Sequence, residues 1–343
     1  MKQETIQQYT PKLGFLETEK AIKLVKDTFE MKLAEKLCLC RVTAPRFLVV
    51  GTGLQDDLAG TQVPVGFKTK FMDSTIEMVH SLAKWKRWIL GKQGFAVGTG
   101  LYTDMDAIRK DEDISEIHSI YVDQWDWERV ITPEERSLDF LKSTVRKIYS
   151  AMLETEAAVA QEFPALERKL PKDITFVHAE ELEERWPKLT PKEREDAIAR
   201  EHGAVFLIGI GHPLRSGKPH DLRAADYDDW VTETEDGRHG LNGDIIIWDS
   251  VRGKSLELSS MGIRVSPETM KEQLAMTGLS EREKLLFHSG VISGSIPLSV
   301  GGGIGQSRLC MALLQKAHIG EVQSSVWPDS HVAEMEEKGI YLL

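Results

Sequence analysis

The sequence predicts a mixed α/β (α+β) domain, and three observations predict it. Along residues 17–37 the apolar positions Ile22, Val25, Phe29, Leu33 and Leu37 recur every three or four residues among lysines and glutamates, the period of a helix with one buried side. The run HSIYVDQWDWE, residues 118–128, alternates instead, which is the period of a strand. Residues 244–248 and 255–265 flank a turn at Arg252 and Gly253 and read as an antiparallel hairpin. Both periods interleave along the chain without an internal repeat or low-complexity linker, so one domain spanning residues 1–343 is expected.

Composition narrows the function classes. With 41% hydrophobic and 28% charged residues the chain can bury a sizeable core. Its 43 basic against 54 acidic residues give a net charge of −11, which disfavours a broad nucleic-acid surface and supplies no polybasic membrane patch. No stretch approaches the roughly 20 apolar residues of a membrane span. Cys38, Cys40 and Cys310 are too few and scattered for a disulfide framework or a zinc site; three buried thiols in a cytoplasmic protein are expected. Lys2 follows Met1, so no N-terminal cysteine or threonine nucleophile is expected.

After the first helix, residues 40–45 form a short extended segment, whose Pro45 suits a strand edge or an interface. A loop with Gly51, Gly53 and Gly60 holds the adjacent Asp56 and Asp57, which alone read as a solvated turn. A strand over 77–82 and a helix over 83–90 follow. Lys84 and Lys86 on that helix face different ways, so one can meet a pocket while the other meets water. A glycine-rich loop at 94–100 and the segment 101–108 lead to Arg109 and a charged run, residues 109–113, of the kind normally solvated. Residues 133–163 contain a helix burying Leu138, Leu141, Val145, Ile148, Met152 and Val159. A strand over 174–177 precedes a helix over 190–202, with Thr190 as N-cap before Pro191, and a strand over 204–210. The polar stretch 220–230 (HDLRAADYDDW) reads by itself as surface. Helices are expected over 268–279 and 281–289.

Three places could carry chemistry. Alternation in the 118–128 strand puts Ile120, Val122, Gln124, Asp126 and Glu128 on one face, and its polar end must meet water or a polar ligand because burial without partners is costly. On the second hairpin strand Glu257, Ser259 and Met261 share a face opposite Leu258 and Ser260, until Gly262 permits a bend; Glu257 is either a metal or hydroxyl ligand or a surface ion pair. The run Gly301, Gly302, Gly303, Ile304, Gly305 precedes Arg308 and a buried helix over 309–314. Glycines, a helix start and an arginine favour an anion such as phosphate, or else mark tight strand-to-helix packing.

Taken together these segments resemble the catalytic core of class II aminoacyl-tRNA synthetases. The first helix and the strand ending at Pro45 resemble that superfamily's first motif, Arg109 with the acidic loop and the strand to Glu128 the second, and GGGIGQSRL (301–309) the third. Longer runs, VHSLAKWKR (79–87), GLYTDMDAIRKDED (100–113), HSIYVDQWDWERV (118–130), RAADYDDW (223–230) and LNGD with ELSSMGIRV (257–265), closely resemble the ammonia-dependent aspartate–ammonia ligases, asparagine synthetases of the synthetase-like type. The likeness extends from about Ile22 to Trp327; the 63–74 loop and the tail from Pro328 match poorly.

The resemblance implies a central, mostly antiparallel sheet flanked by helices, without an anticodon-binding or glutaminase domain. It implies conversion of L-aspartate, ATP and ammonia to L-asparagine, AMP and pyrophosphate through a β-aspartyl-adenylate. In this family pattern Asp56, Lys86, Arg109 and Gln124 are catalytic. Arg109 holds the α-phosphate, and Arg308 the far phosphates or the adenine. Glu257, possibly with Asp244, holds Mg²⁺, and Gly303 and Gly305 let ATP lie against the sheet. Ser81, Asp126, Arg223, Tyr227, Asp228 and Ser260 join Lys86 and Gln124 around aspartate; Arg223 and Lys86 are assigned to its carboxylates, Asp126 and Asp228 to its amino group. Asp56 receives the proton of ammonium. A homodimer with Pro45 near its interface is implied, with no nucleic-acid or membrane partner. The competing readings are an aspartyl- or asparaginyl-tRNA synthetase-like enzyme and a non-catalytic adenylate-binding regulatory homologue.

Overall fold

The protein is described by a computed structural model over residues 9–58 and 62–343. Met1, Lys2 and Gly60 lie outside the described residues. Helix α1 (Phe15–Leu37) buries Val25, Phe29, Leu33 and Leu37 along one side, as its period requires. Each such side chain removed from water contributes about 1.5–3 kcal/mol. α1 packs against helix α3 (Leu138–Glu162), whose Leu141, Val145, Ile148, Met152 and Val159 join the same core.

These helices cover one face of an eight-stranded sheet. Its order is β1 (Leu39–Arg41), β5 (Gly100–Ile108), β6 (Tyr121–Val130), β11 (Ser299–Gly305), β10 (Lys254–Ile263), β9 (Asn242–Asp249), β8 (Ala204–Ile208) and β7 (Thr175–His178). The two end pairs, β1–β5 and β7–β8, are parallel, and the pairs between them are antiparallel. Trp125 and Trp127 of β6 point into the core beneath α1 and α3, so Gln124 and Asp126 emerge on the opposite face. Helix α5 (Pro191–His202) starts as expected: the Thr190 hydroxyl accepts from the Glu193 amide, with Pro191 in the first turn.

Several boundaries differ from the sequence expectation. Strand β4 is Met72–Met78, not 77–82, and helix α2 is Ala83–Gln93. Between them the amides of His80 and Leu82 donate to side chains, Gln55 Oε1 at 3.0 Å and Asp126 Oδ2 at 3.2 Å, instead of to a neighbouring strand. β4 pairs with β2 (Phe47–Val49) and β3 (Gly66–Thr69) in a small second sheet, too short and polar to show a period. Helices α4 (Ala179–Arg185) and α9 (Asp329–Glu337) were not anticipated, and residues 267–292 divide into α6 (Pro267–Met276), a 3₁₀ turn (Ser280–Lys284) and α7 (Leu286–Ile292). Cys310 is buried as expected, but Cys38 and Cys40 are exposed at the end of α1 and on the edge strand β1.

The hairpin of β9 and β10 carries a bulge between Glu257 and Ser259, not a bend at Gly262. The extra residue resets the alternation. Glu257 and Ser260 therefore share the cavity-lining face, whereas Leu258 and Met261 both enter the core.

The glycine run is itself a strand. β11 lies between β6 and β10, and helix α8 (Gln306–Leu313) begins immediately after it. Directly opposite on β6 stand Glu128 to Gly301, Asp126 to Gly303 and Gln124 to Gly305. A Cβ on Gly301 would overlap the Glu128 carboxylate, and one on Gly303 would overlap Gln124 and stand 2.9 Å from Asp126 Oδ1. Gly302, on the other face, would press a Cβ 2.7 Å from the Ser260 carbonyl and into Met261. Gly302→Ala, whose neighbours there are backbone and packed core, is expected to cost about 1–3 kcal/mol, read as a lower urea midpoint with unchanged slope.

Candidate active site

Fourteen of the fifteen site residues named from the sequence line one cavity of about 430 Å³ on the side of β6 and β11 away from α1 and α3. They are Asp56, Ser81, Lys86, Arg109, Gln124, Asp126, Arg223, Tyr227, Asp228, Glu257, Ser260, Gly303, Gly305 and Arg308. The fifteenth, Asp244, stands behind the wall, with Oδ2 accepting from Arg223 Nη2 at 2.6 Å.

Three expectations of solvent exposure are overturned by burial. Neither Lys84 nor Lys86 is solvated: Lys84 Nζ pairs with Asp226 at 2.8 Å, and Lys86 Nζ donates to Asp126 Oδ1 at 3.0 Å and to the Gly302 carbonyl at 2.8 Å. The 220–230 stretch is not surface either, since Asp226, Asp228 and Asp229 are fully buried. Asp56, one half of an expected solvated turn, is only 2% exposed. Its oxygen caps the Leu58 amide at 2.9 Å.

The floor of the cavity is a continuous set of charged hydrogen bonds. Arg264 forks onto both oxygens of Glu128, at 3.0 and 2.9 Å, and reaches Asp228 with its other nitrogen. Ser299 adds a hydroxyl to Glu128 at 2.7 Å. Glu128 thus meets neither water nor ligand; its partner is a buried cation. Burial pushes Glu128 up, but Arg264 and Lys86 outweigh it and hold its carboxyl below the usual range. For Asp228 burial prevails over Arg264 and the pKa is raised. Burial likewise lowers Lys86 against the opposing pull of Asp126.

At the α8 end, Arg308 Nη1 donates to the Glu257 carbonyl at 3.1 Å and stands 3.6 Å from the Glu257 carboxylate, while Nη2 donates to His118 Nε2 at 2.9 Å. His118 must be neutral to accept that bond, and its Nδ1 is then the donor to Ser115 Oγ at 2.8 Å. Burial, with Arg308 beside it, lowers the imidazole pKa to about 4. His118 and Arg264 escaped the sequence reading. Each follows or opens an ordinary strand, and only the register across the sheet brings it into the cavity.

Arg109 reaches the His80 carbonyl at 3.3 Å, and its buried Nε has no hydrogen-bond partner among the described residues. A guanidinium left partly unsatisfied in a cavity suits an oxyanion. Glu257 and Asp244 project from the same face of the β9–β10 hairpin, and Asp244 Oδ1 is buried without a partner. Among the described residues no cluster of three or more metal-binding side chains occurs. Two carboxylates with one orphaned oxygen fit Mg²⁺, which is commonly held by one or two carboxylates together with nucleotide phosphates.

A mostly antiparallel sheet with its cavity built on a glycine strand and two arginines defines a class II synthetase-like domain. Superposition bears this out: asparaginyl-tRNA synthetase from Pyrococcus horikoshii complexed with asparaginyl-adenylate matches with a TM-score of 0.65 at 16% identity, over 91% of this chain and 70% of that one. Aspartyl-tRNA synthetase from Entamoeba histolytica matches with a TM-score of 0.59 at 14% identity, over 89% and 58% of the two chains. Within that class the sequence is specific. The chain belongs to the aspartate–ammonia ligase family, whose model matches residues 16–339. Relatives called aspartate–ammonia ligase from Parabacteroides distasonis and Limosilactobacillus reuteri are each 52% identical to it, across 98% of this chain and 97% and 98% of their own lengths.

Removing the cation at the centre of the floor leaves two buried carboxylates facing each other. Arg264→Met is therefore expected to lose about 3–5 kcal/mol, measured by urea unfolding at pH 7.

Proposed function

We propose that this chain catalyses the ATP-dependent amidation of L-aspartate by ammonia, giving L-asparagine, AMP and pyrophosphate. The observation that carries the reading is the 52% identity, along nearly the whole chain, to relatives named for that reaction. A carboxylate is a poor acyl donor, so the side-chain carboxylate of aspartate first attacks the α-phosphorus of ATP. The new P–O bond forms as the bond to pyrophosphate breaks, and the product is β-aspartyl-adenylate.

Positioning and charge neutralisation carry most of such a step. Arg109 holds the α-phosphate as its equatorial charge develops, and Arg308 holds the distal phosphates or the adenine. Gly303 and Gly305 add no side chain of their own to that wall. Mg²⁺, held by Glu257 and Asp244, would neutralise phosphate charge when bound. Burial pushes Glu257 up, but Arg308 and Arg223 outweigh it, so its carboxyl stays ionised for that task. For aspartate, Lys86 and Arg223 face the carboxylates and Asp126 and Asp228 the amino group, with Ser81, Gln124, Tyr227 and Ser260 completing the shell. Arg223 already bonds Asp244 and Asp221, and Lys86 bonds Asp126, so each cation arrives oriented.

In the second step ammonium gives a proton to Asp56. Burial, against the opposing charge of Lys84, raises the Asp56 pKa, which makes it a better base than an exposed carboxylate. The nitrogen lone pair attacks the β-carbonyl carbon and forms the C–N bond. The acyl C–O bond then breaks, its electron pair leaves on the phosphate of AMP, and the nitrogen releases a second proton.

The chain acts as one catalytic unit in the cytoplasm, and pairs as a homodimer along the edge strand β1 and the segment to Pro45, where Cys38 and Cys40 are exposed and Pro45 is half-buried. Among the described residues no helix is long and apolar enough to cross a membrane. The net charge of −11 is a poor match to tRNA.

The deciding assay follows AMP release with ATP and aspartate while ammonium, glutamine or tRNA is added in turn. Asparagine formed with ammonium alone is the expected result; turnover only with tRNA would overturn the reading. Asp56→Asn should cut asparagine formation by about 10²–10⁴-fold at saturating ammonium, and an unchanged rate would remove Asp56 from the second step.

A further inference from the structure

Outside the cavity, three distant chain segments meet at one carboxylate. Asp226, fully buried, receives Lys84 Nζ of α2 at 2.8 Å and the Nε2–H of His288 on α7 at 3.0 Å, both on Oδ2. Arg282 Nη1, from the 3₁₀ turn, stands 3.6 Å from the same oxygen, and its Nη2 donates to Asp57 Oδ2 at 2.5 Å. The loop that bears Asp56 and Asp57 lies flat on α7. The Phe287 amide donates to the Thr52 carbonyl at 3.3 Å, and a Cβ on Gly53 would stand 2.9 Å from His288 Nδ1. None of Lys84, Asp226, Arg282 and His288 lines the cavity, and none has a part in the reaction described above.

We propose that Lys84 is a positioning residue for amide formation: a fixed internal cation, clamped by Asp226, His288 and Arg282, that keeps the ammonium-accepting carboxylate of Asp56 ionised. The proposal rests on the reading of Asp56 as that acceptor. A buried lysine–aspartate pair is a weak stabiliser, because desolvation offsets most of its attraction, so the value of this one lies in what its charge does nearby. Among the charges around Asp56, Lys84 is the leading influence opposing burial. Asp226 and Asp57 act the other way. Tyr227 from the 220–230 segment and His80 ahead of α2 also face it, and both are held uncharged near neutrality by burial. Lys84 is thus the cation that most opposes the effect of burial on Asp56. The clamp has a second consequence. With its ammonium committed to Asp226, Lys84 is withheld from the substrate carboxylates that Lys86 and Arg223 face.

The sign of the effect is fixed. Asp56 works ionised, so losing the cation raises its pKa and moves the acid limb of the ammonium kcat/KM profile to higher pH. The test compares Lys84→Met, the double variant Lys84→Met with Asp226→Asn, which leaves no lone buried charge, and Lys84→Arg, each checked for fold by circular dichroism. Aspartate-dependent exchange of pyrophosphate into ATP reads the first step alone; ammonium-dependent asparagine formation from pH 5.5 to 9 reads the second. For Lys84→Met we expect the acid limb to rise by about 1 unit and kcat/KM for ammonium at pH 7 to fall about tenfold, with pyrophosphate exchange within about threefold of the parent. The double variant should shift in the same direction by less, and Lys84→Arg should restore the parent limb. A folded double variant with an unmoved acid limb, or one in which exchange and ammonium use fall together without a pH shift, overturns the proposal. Asp56→Asn, run alongside, separates the two readings: if it leaves ammonium use unchanged, the assignment of Asp56 itself fails; if it impairs ammonium use while the double variant keeps the parent profile, only the role of Lys84 fails.

Discussion

The constraint on which the rest of the site depends is the absence of side chains at Gly301, Gly302, Gly303 and Gly305 of β11. A strand in the middle of a sheet normally fills both faces, yet Gly301 and Gly303 leave one face bare, and the space is taken by Gln124, Asp126 and Glu128 from the neighbouring strand. Asp126 and Glu128 lie across the glycines and meet cations arriving from two directions: Lys86 from α2 and Arg264 from the end of β10. A Cβ at Gly301 would displace the Glu128 carboxylate that Arg264 holds, and one at Gly303 would displace Gln124 and crowd the Asp126 carboxylate that Lys86 holds. The glycines serve this internal packing first, and the bare wall they leave for a nucleotide follows from it.

A second regularity is that charge in this region is neutralised in pairs before any substrate arrives. Lys86 with Asp126, Arg264 with Glu128 and Asp228, Arg223 with Asp244, and Lys84 with Asp226 each place a cation against a carboxylate within hydrogen-bond reach. Pairs this far from water contribute little to stability, since desolvation nearly cancels their attraction. Their use is orientation. A guanidinium or ammonium already held by a carboxylate loses less conformational freedom when it engages a phosphate or a zwitterion, which is how an enzyme site reduces reorganisation in the transition state.

Much of this was legible in the sequence because it is written in periods and local chemistry. Three- and four-residue spacing marked α1 and α3, alternation marked β6 and the face bearing Gln124 and Asp126, and Thr190 before Pro191 marked the start of α5. The family resemblance added Asp56, Lys86, Arg109, Glu257 and Arg308 as residues that would converge, and they do line one cavity. What failed was the inference that several charged residues are solvated. Asp56 and Asp57, the acidic run at 220–230 and the lysine pair on α2 look locally like surface, and only contacts between distant segments remove most of them from water. The bulge at Glu257 escaped for a related reason: one extra residue flips the alternation, and nothing in Glu257-Leu258-Ser259-Ser260 announces it.

By itself the sequence determined where the long periodic elements such as α1, α3 and β6 form and which residue types the family chemistry requires, because period, capping and motif spacing act over a few neighbouring residues. The tertiary structure alone decided which charges are buried and with whom they pair. Glu128 and Arg264, Lys84 and Asp226, Asp226 and His288, and Arg308 and His118 are separated by 136, 142, 62 and 190 residues respectively. Their ionisation is set by desolvation and by the distance to the opposing charge, and neither quantity exists until the sheet has closed around them.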